Sequence, residues 1–256
     1  MNQKDYAEFK GIRKESYPMD TNEFVARVAL SPGFILLTIT GIILLVMIIV
    51  QGVLGFSIKN IEDIFTTPIS IVNYVLLTPS FLPFAVLIIG QIIFVINGLT
   101  RKKQMSLAGV ITMGIAFKIQ MVLQIIFTVI TTFIMMHILG ELYIKTGIRW
   151  LIILIYVSIM ICSIMLFSSL NKRMNIYRYM LETNMLVSDA FPTYPAIMCF
   201  IMTLLVLVGC IISILVKDWL MFVVMMFEII FYVMAGILMI ANKIYFIGIK
   251  RNIMNS

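Results

Sequence analysis

From Phe34 onward the chain alternates between long apolar runs and short polar breaks, and almost nowhere shows the period-2 alternation of strands. Six of the runs reach the 20 or so residues that a bilayer-spanning helix needs: Phe34–Leu54, Leu76–Ile96, Leu107–Ile138, Trp150–Leu170, Ala196–Val216 and Trp219–Ile240. The pattern predicts an all-α polytopic integral membrane protein with six transmembrane helices. The turn between the last two runs is only Lys217 and Asp218, which makes those helices antiparallel neighbours. Three regions follow: a polar arm over 1–33, a transmembrane domain over 34–245 and a tail over 246–256.

Three flanking segments carry helical spacing of their own. In "DTNEFVARVALSPG", Asp20 with Glu23 forms a capping-box pattern, Phe24, Val25, Val28 and Ala29 share a face, and Pro32-Gly33 ends the helix. This predicts a short interfacial amphipathic helix ahead of the first span. "IKNIEDIF" places Ile58, Ile61, Ile64 and Phe65 at similar spacing on the opposite surface. The connection "NKRMNIYRYMLETNMLVSDAFP" has an apolar stripe of Ile176, Tyr177, Met180 and Leu181. Each of these segments reads as lying on lipid headgroups, or, on the basic side, as docking a partner subunit.

Composition agrees with the pattern. Of 256 residues 62% are hydrophobic and 12% charged, against roughly a quarter charged in soluble domains. The net charge of +7 is explained by loops held on the cytoplasmic side and does not call for nucleic acid. Lys4, Lys10, Arg13, Lys14 and Arg27 precede the first span, Arg101, Lys102 and Lys103 follow the second, and Lys172, Arg173 and Arg178 follow the fourth. Lys243, Lys250 and Arg251 close the chain, whereas the other side holds Lys59, Lys145, Arg149 and Lys217. The positive-inside rule therefore predicts both termini in the cytoplasm, in a plasma or inner membrane. The polar, mixed-charge arm does not have the form of a cleavable signal peptide. The bias toward Ile, Met, Lys and Asn, with few Ala, is that of an A+T-rich bacterial genome.

Polar groups inside the apolar runs are the candidates for function. Glu228 lies nine residues after Trp219, about 13 Å into the membrane, with apolar neighbours on both sides. Intramembrane acids are rare and face the protein interior, either as working groups or as protonated packing groups. Lys118 has two readings. If its helix begins at Leu107 it sits at nearly the height of Glu228, and the two charges would pair. If residues 105–117 bend along the interface at Gly109 and Gly114, Lys118 snorkels to the headgroups, and the excess length of Leu107–Ile138 favours this reading. Gln120, Gln124, Thr128 and Thr131 form one polar face of the same helix, fit for interhelical hydrogen bonds or for the wall of a polar pathway. Lys118 is roughly 200° around from Gln120 and stands apart from that face. Pro79 and Pro83 enter the second span as Pro192 and Pro195 enter the fifth, a short echo of the inverted repeats of secondary transporters.

Other chemistry is disfavoured. His137 is the sole histidine, and Cys162, Cys199 and Cys210 sit in apolar runs without CxxC spacing, which leaves no metal site, no catalytic set and no cofactor to assign. With no GxSxG or Walker A sequence, the chain is expected to be neither an enzyme nor self-powered by ATP.

Six spans, a short amphipathic helix before the first and a basic cytoplasmic face make the plan similar to that of ABC-2-type exporter permeases. That resemblance implies a separate ATPase subunit and a homo- or hetero-dimer as partners besides the lipid bilayer. "NGLTRKKQMSLAG" departs from the acidic, glycine-containing segment that the resemblance implies at this point. Two further readings stand beside it. One is a non-transporting scaffold or assembly protein, resembling the Yip1-like multi-span proteins in size and polar arm. The other is an ion-coupled secondary carrier that uses Glu228.

Overall fold

The computed structural model describes residues 21–58, 68–100, 105–141, 146–184, 193–215 and 219–254. Among these residues the chain is seven helices: α1 (Thr21–Ala29), α2 (Pro32–Ile58), α3 (Pro68–Thr100), α4 (Ala108–Glu141), α5 (Thr146–Thr183), α6 (Tyr194–Leu215) and α7 (Trp219–Met254). Helices α2 to α7 are each long and apolar enough to cross a membrane. Each packs on the next, and α7 returns to α2, so the six form a closed ring. The outward faces are apolar and exposed, with Leu36, Ile39 and Val46 on α2, Ile89 and Ile96 on α3, and Val122, Ile125 and Val129 on α4. A continuous apolar girdle of this extent belongs in lipid rather than water.

Packing around the ring is uneven. α3, α4 and α5 form one closely packed block and α6 with α7 another, while α5 meets α6 and α2 meets α3 more lightly. Glycine accounts for the tightest crossing. A Cβ at Gly90 would stand 2.8 Å from the Met113 backbone nitrogen, and one at Gly109 would stand 2.6 Å from backbone atoms of Phe94. Each of the two helices thus presents a bare backbone to the other, the close approach that small residues permit in membranes.

α4 is one uninterrupted helix from Ala108 to Glu141, and both glycines at the expected bend lie inside it. Gly109 serves the crossing with α3, and Gly114 faces Asn171 and Met174 of α5 at ordinary distance. Pro83 lies well inside α3, whereas Pro195 is the second residue of α6. Pro192 and the stretch 59–67 of the second flanking segment lie outside the described residues, as do Asp20, Arg101, Lys102 and Lys103.

The largest departure from expectation is α1. Phe24, Val25, Ala26, Val28 and Ala29 are all buried, so the helix is sunk into one end of the ring instead of lying on headgroups. Phe24 stacks on Tyr245 (centroids 5.9 Å apart) and meets Phe246 edge-on at 5.7 Å. Asn22 accepts a hydrogen bond from the Met105 backbone nitrogen at 3.2 Å. Only its outer edge stays in solvent, where Arg27 pairs with Glu23 and donates to the Tyr245 hydroxyl at 2.9 Å. The Tyr245 hydroxyl and the Glu23 carboxylate raise the Arg27 pKa further above its already high ordinary value, so the guanidinium stays charged. Pro32-Gly33 opens α2 as much as it ends α1: Ser31 is the N-cap, accepting from the Phe34 nitrogen at 3.3 Å, and Pro32 fills the first helical position.

The connection after the fourth span is also not a separate surface helix. α5 continues to Thr183 and buries Ile176, Tyr177, Met180 and Leu181 against the rest of the bundle. α7 likewise runs past residue 245 to Met254, through the expected start of a tail. At 1.5 Å per residue, α5 and α7 are each about 55 Å long, well beyond the roughly 30 Å of hydrocarbon. Their extensions build the collar that holds α1.

Candidate functional site

Within the ring lies a partly open cavity of about 410 Å³ to which all seven helices contribute. Its wall on α7 is Met221, Val224, Met225, Glu228, Phe231, Tyr232, Ala235, Leu238, Met239 and Asn242, an unbroken stripe at spacings of three and four. On α5 the stripe is Ser163, Leu166, Phe167, Leu170, Arg173, Met174 and Tyr177. Val28 of α1 closes one end. Most of the wall is aromatic and aliphatic, with Phe34 edge-on to Phe94 and Phe84 edge-on to Phe231. A mainly apolar cavity with a few placed polar groups is the usual form of a small-molecule site.

Two charged residues line it. Glu228 is half-buried and lines the cavity. Arg173 is 5% exposed, and its Nη2 donates to the Met239 carbonyl at 3.4 Å. It also shares hydrogen bonding at the Tyr177 hydroxyl with Asn242. Met239 is eleven residues from Glu228 along α7, so the two charges are separated by about 16 Å of axis. They cannot pair across the cavity. Between them lies Gln91, 4% exposed, whose Oε1 has no hydrogen-bond partner. Gly41 fixes its height, since a Cβ there would sit 3.6 Å from Gln91 Oε1 and 3.1 Å from the Phe231 ring.

The expected polar face of α4 divides in two. Gln120 and Gln124 line the cavity, Gln120 donating to Gln124 Oε1 at 3.3 Å and Gln124 to the Met160 sulfur at 2.7 Å. Thr128 instead donates to the Gln124 carbonyl of its own helix at 2.6 Å, and Thr131 is buried outside the cavity wall. Lys118 is exposed on the outside of α4 and does not line the cavity, so it is not brought together with Glu228.

Arg173, Gln91, Ser163 and Asn242 are cavity residues that the pattern of spans did not single out. In the sequence Arg173 has the place of a basic loop residue, although the inner spacing of α5 runs through it to Tyr177. Cys199 and Cys210 are buried thiols and Cys162 is partly buried. Among the described residues no three His, Cys, Asp or Glu side chains gather where they could hold a metal ion. Comparison with protein-family models, with curated proteins and with solved structures finds no match.

Proposed function

We propose that this chain is a membrane transport protein whose cargo occupies the central cavity, with Glu228 as the group that takes up and releases a proton or cation as the cavity changes access. One observation carries this reading: the single intramembrane acid of α7 falls on the inner stripe and lines the central cavity, where a purely structural acid would face a neighbouring helix. The two tightly packed blocks, joined by lighter seams at α5/α6 and α2/α3, supply bodies that can rock against one another. α1 ties the blocks at one end. The basic residues Lys172, Arg178 and Lys243 gather at that end and support its placement in the cytoplasm.

The test is reconstitution of the full chain and of Glu228→Gln in proteoliposomes, with an imposed pH gradient and a trapped pH dye. Coupled flux in the native chain, lost in a variant that inserts and folds normally, is the expected result. Equal behaviour of the two would remove Glu228 from the mechanism. Orientation is checked by labelling exposed positions at opposite ends: Thr146→Cys should react from outside intact cells, and Ser106→Cys only after permeabilisation.

A second reading keeps the cavity and changes the source of energy. The extensions of α5 and α7, with α1 between them, make a charged surface beyond the hydrocarbon that a separate ATPase could press on. Near-stoichiometric co-purification of an ATPase from native membranes supports this permease-subunit reading, and its absence leaves Glu228 as the coupling group.

A further inference from the structure

We infer that the cavity binds a lipophilic organic monocation, with its charge at Glu228 and its apolar groups on the aromatic wall beside that residue. The inference names a cargo class for the transport reading above, and rests on that reading for release across the membrane but not for binding.

The isolation of Glu228 is the first observation. Among the described residues no hydrogen bond or ion pair reaches its carboxyl group. Arg173 is about 16 Å away along the axis and Lys118 is outside the ring, so neither cation neutralises it. Gln120 and Gln124 direct amide donors to each other and to the Met160 sulfur. A carboxylate without a countercharge in low-dielectric surroundings attracts an entering cation far more strongly than one in water does.

The surroundings decide which kind of cation. Phe231 and Tyr232 stand three and four residues on from Glu228 and line the cavity with it. Phe231 meets Tyr232 edge-on at 6.3 Å and Phe84 of α3 edge-on at 5.6 Å, so three connected rings begin beside the acid. Ring faces attract cations and bury the apolar groups that those cations carry. In the other direction along α7 the cavity neighbours are Val224, Met225 and Met221, whose side chains have no oxygen. A hard metal ion takes about six oxygen ligands, which this wall does not supply. A primary ammonium would bring three N–H donors to a single carboxyl group. A quaternary ammonium or phosphonium brings none, and its own apolar groups suit the rings.

Size agrees. The volume of about 410 Å³ falls in the range of about 300–1,000 Å³ that drug-sized ligands occupy, and the cavity is partly open. One acid sets the charge of the ligand at one.

The experiment is binding of radiolabelled methyltriphenylphosphonium to the full chain in nanodiscs, against empty nanodiscs. The competitors are triphenylphosphine oxide, which has the rings without the charge, and tetramethylammonium, which has the charge without the rings. Saturable binding is expected, with each competitor weaker than the unlabelled phosphonium by about tenfold or more. Glu228→Gln should weaken binding about tenfold or more, and Glu228→Asp should restore part of it. Tyr232→Leu should weaken it about threefold or more, whereas Tyr232→Phe, which keeps the ring, should bind nearly as the native chain does. Equal competition by the oxide, or by tetramethylammonium, overturns the inference on the native chain even if no variant folds. Native affinity in Glu228→Gln overturns it as well. Phosphonium binding in a chain without coupled proton flux would sink the transport reading and leave this site standing. Coupled flux in a chain that does not bind the phosphonium would do the reverse.

Discussion

Thr21 donates twice to the carboxamide oxygen of Asn184, from its backbone nitrogen at 3.3 Å and from its hydroxyl, across 163 residues of chain. Asn184 ends α5 with φ 53°, a left-handed conformation that asparagine tolerates better than most residues, and its own nitrogen donates to the Met180 carbonyl at 3.0 Å. One residue therefore terminates α5 and caps the first turn of α1. Asn184→Gly keeps the backbone conformation and loses the cap; Asn184→Ala loses both. The Thr21 hydroxyl keeps the Met180 carbonyl at 3.1 Å; leaving the Thr21 nitrogen without an acceptor costs about 1–3 kcal/mol, and the left-handed alanine adds roughly 1 kcal/mol. Thermal unfolding in detergent should rank native above Gly above Ala, and equal Gly and Ala variants would show that the backbone conformation carries no weight.

Gly109 and Gly114 of α4 should respond in opposite directions. Gly109→Ala drives a Cβ to 2.6 Å from the backbone of Phe94, which cannot rotate away, so α3 and α4 must separate at a cost of about 1–3 kcal/mol. At Gly114 the nearest atoms are 3.6 Å off, and Gly114→Ala should gain roughly 0.5–1 kcal/mol from helix propensity alone. A melting comparison checks both. Destabilisation by Gly114→Ala would revive a bend at that position.

The spans were legible in the sequence because an apolar run of 20 residues has few other uses, and Glu228 was legible because nothing polar surrounds it. Arg173 was not, for a physical reason: a 20-residue span from Trp150 stops at Leu170, and a basic residue just beyond that edge looks like loop charge. The inner spacing Leu166, Leu170, Arg173, Tyr177 was the available signal, and it is read only when the helix is allowed to outlast the membrane. The apolar face of α1 is plain in the sequence, but a helix lying on headgroups and one sunk into the end of a bundle have the same pattern. What separates them is the reach of α5 and α7, which only the fold supplies.

Lys118 and Glu228 should be energetically independent. Lys118 is on the outside of α4 and Glu228 lines the cavity. Lys118→Leu replaces an exposed cation on a lipid-facing surface and should leave stability unchanged or slightly raised. In a double-mutant cycle with Glu228→Gln, the coupling should stay within about 0.5 kcal/mol, the range for sites without shared partners. A coupling well above that would mean that the two charges meet.

Gln91 offers the opposite kind of test, a polar group whose removal should help the empty protein. Its Oε1 is buried without a partner, and such a group forfeits about 1–3 kcal/mol of desolvation. Gln91→Leu keeps most of the volume beside Ile88 and Phe94 and removes that burden, so the variant should unfold at a higher temperature than the native chain. Gln91→Glu adds a charge in place of the amide and should lower it. The order Leu above Gln above Glu, in protein stripped of bound small molecules, is the expected outcome. A native chain more stable than both would mean that Gln91 is satisfied from within the fold.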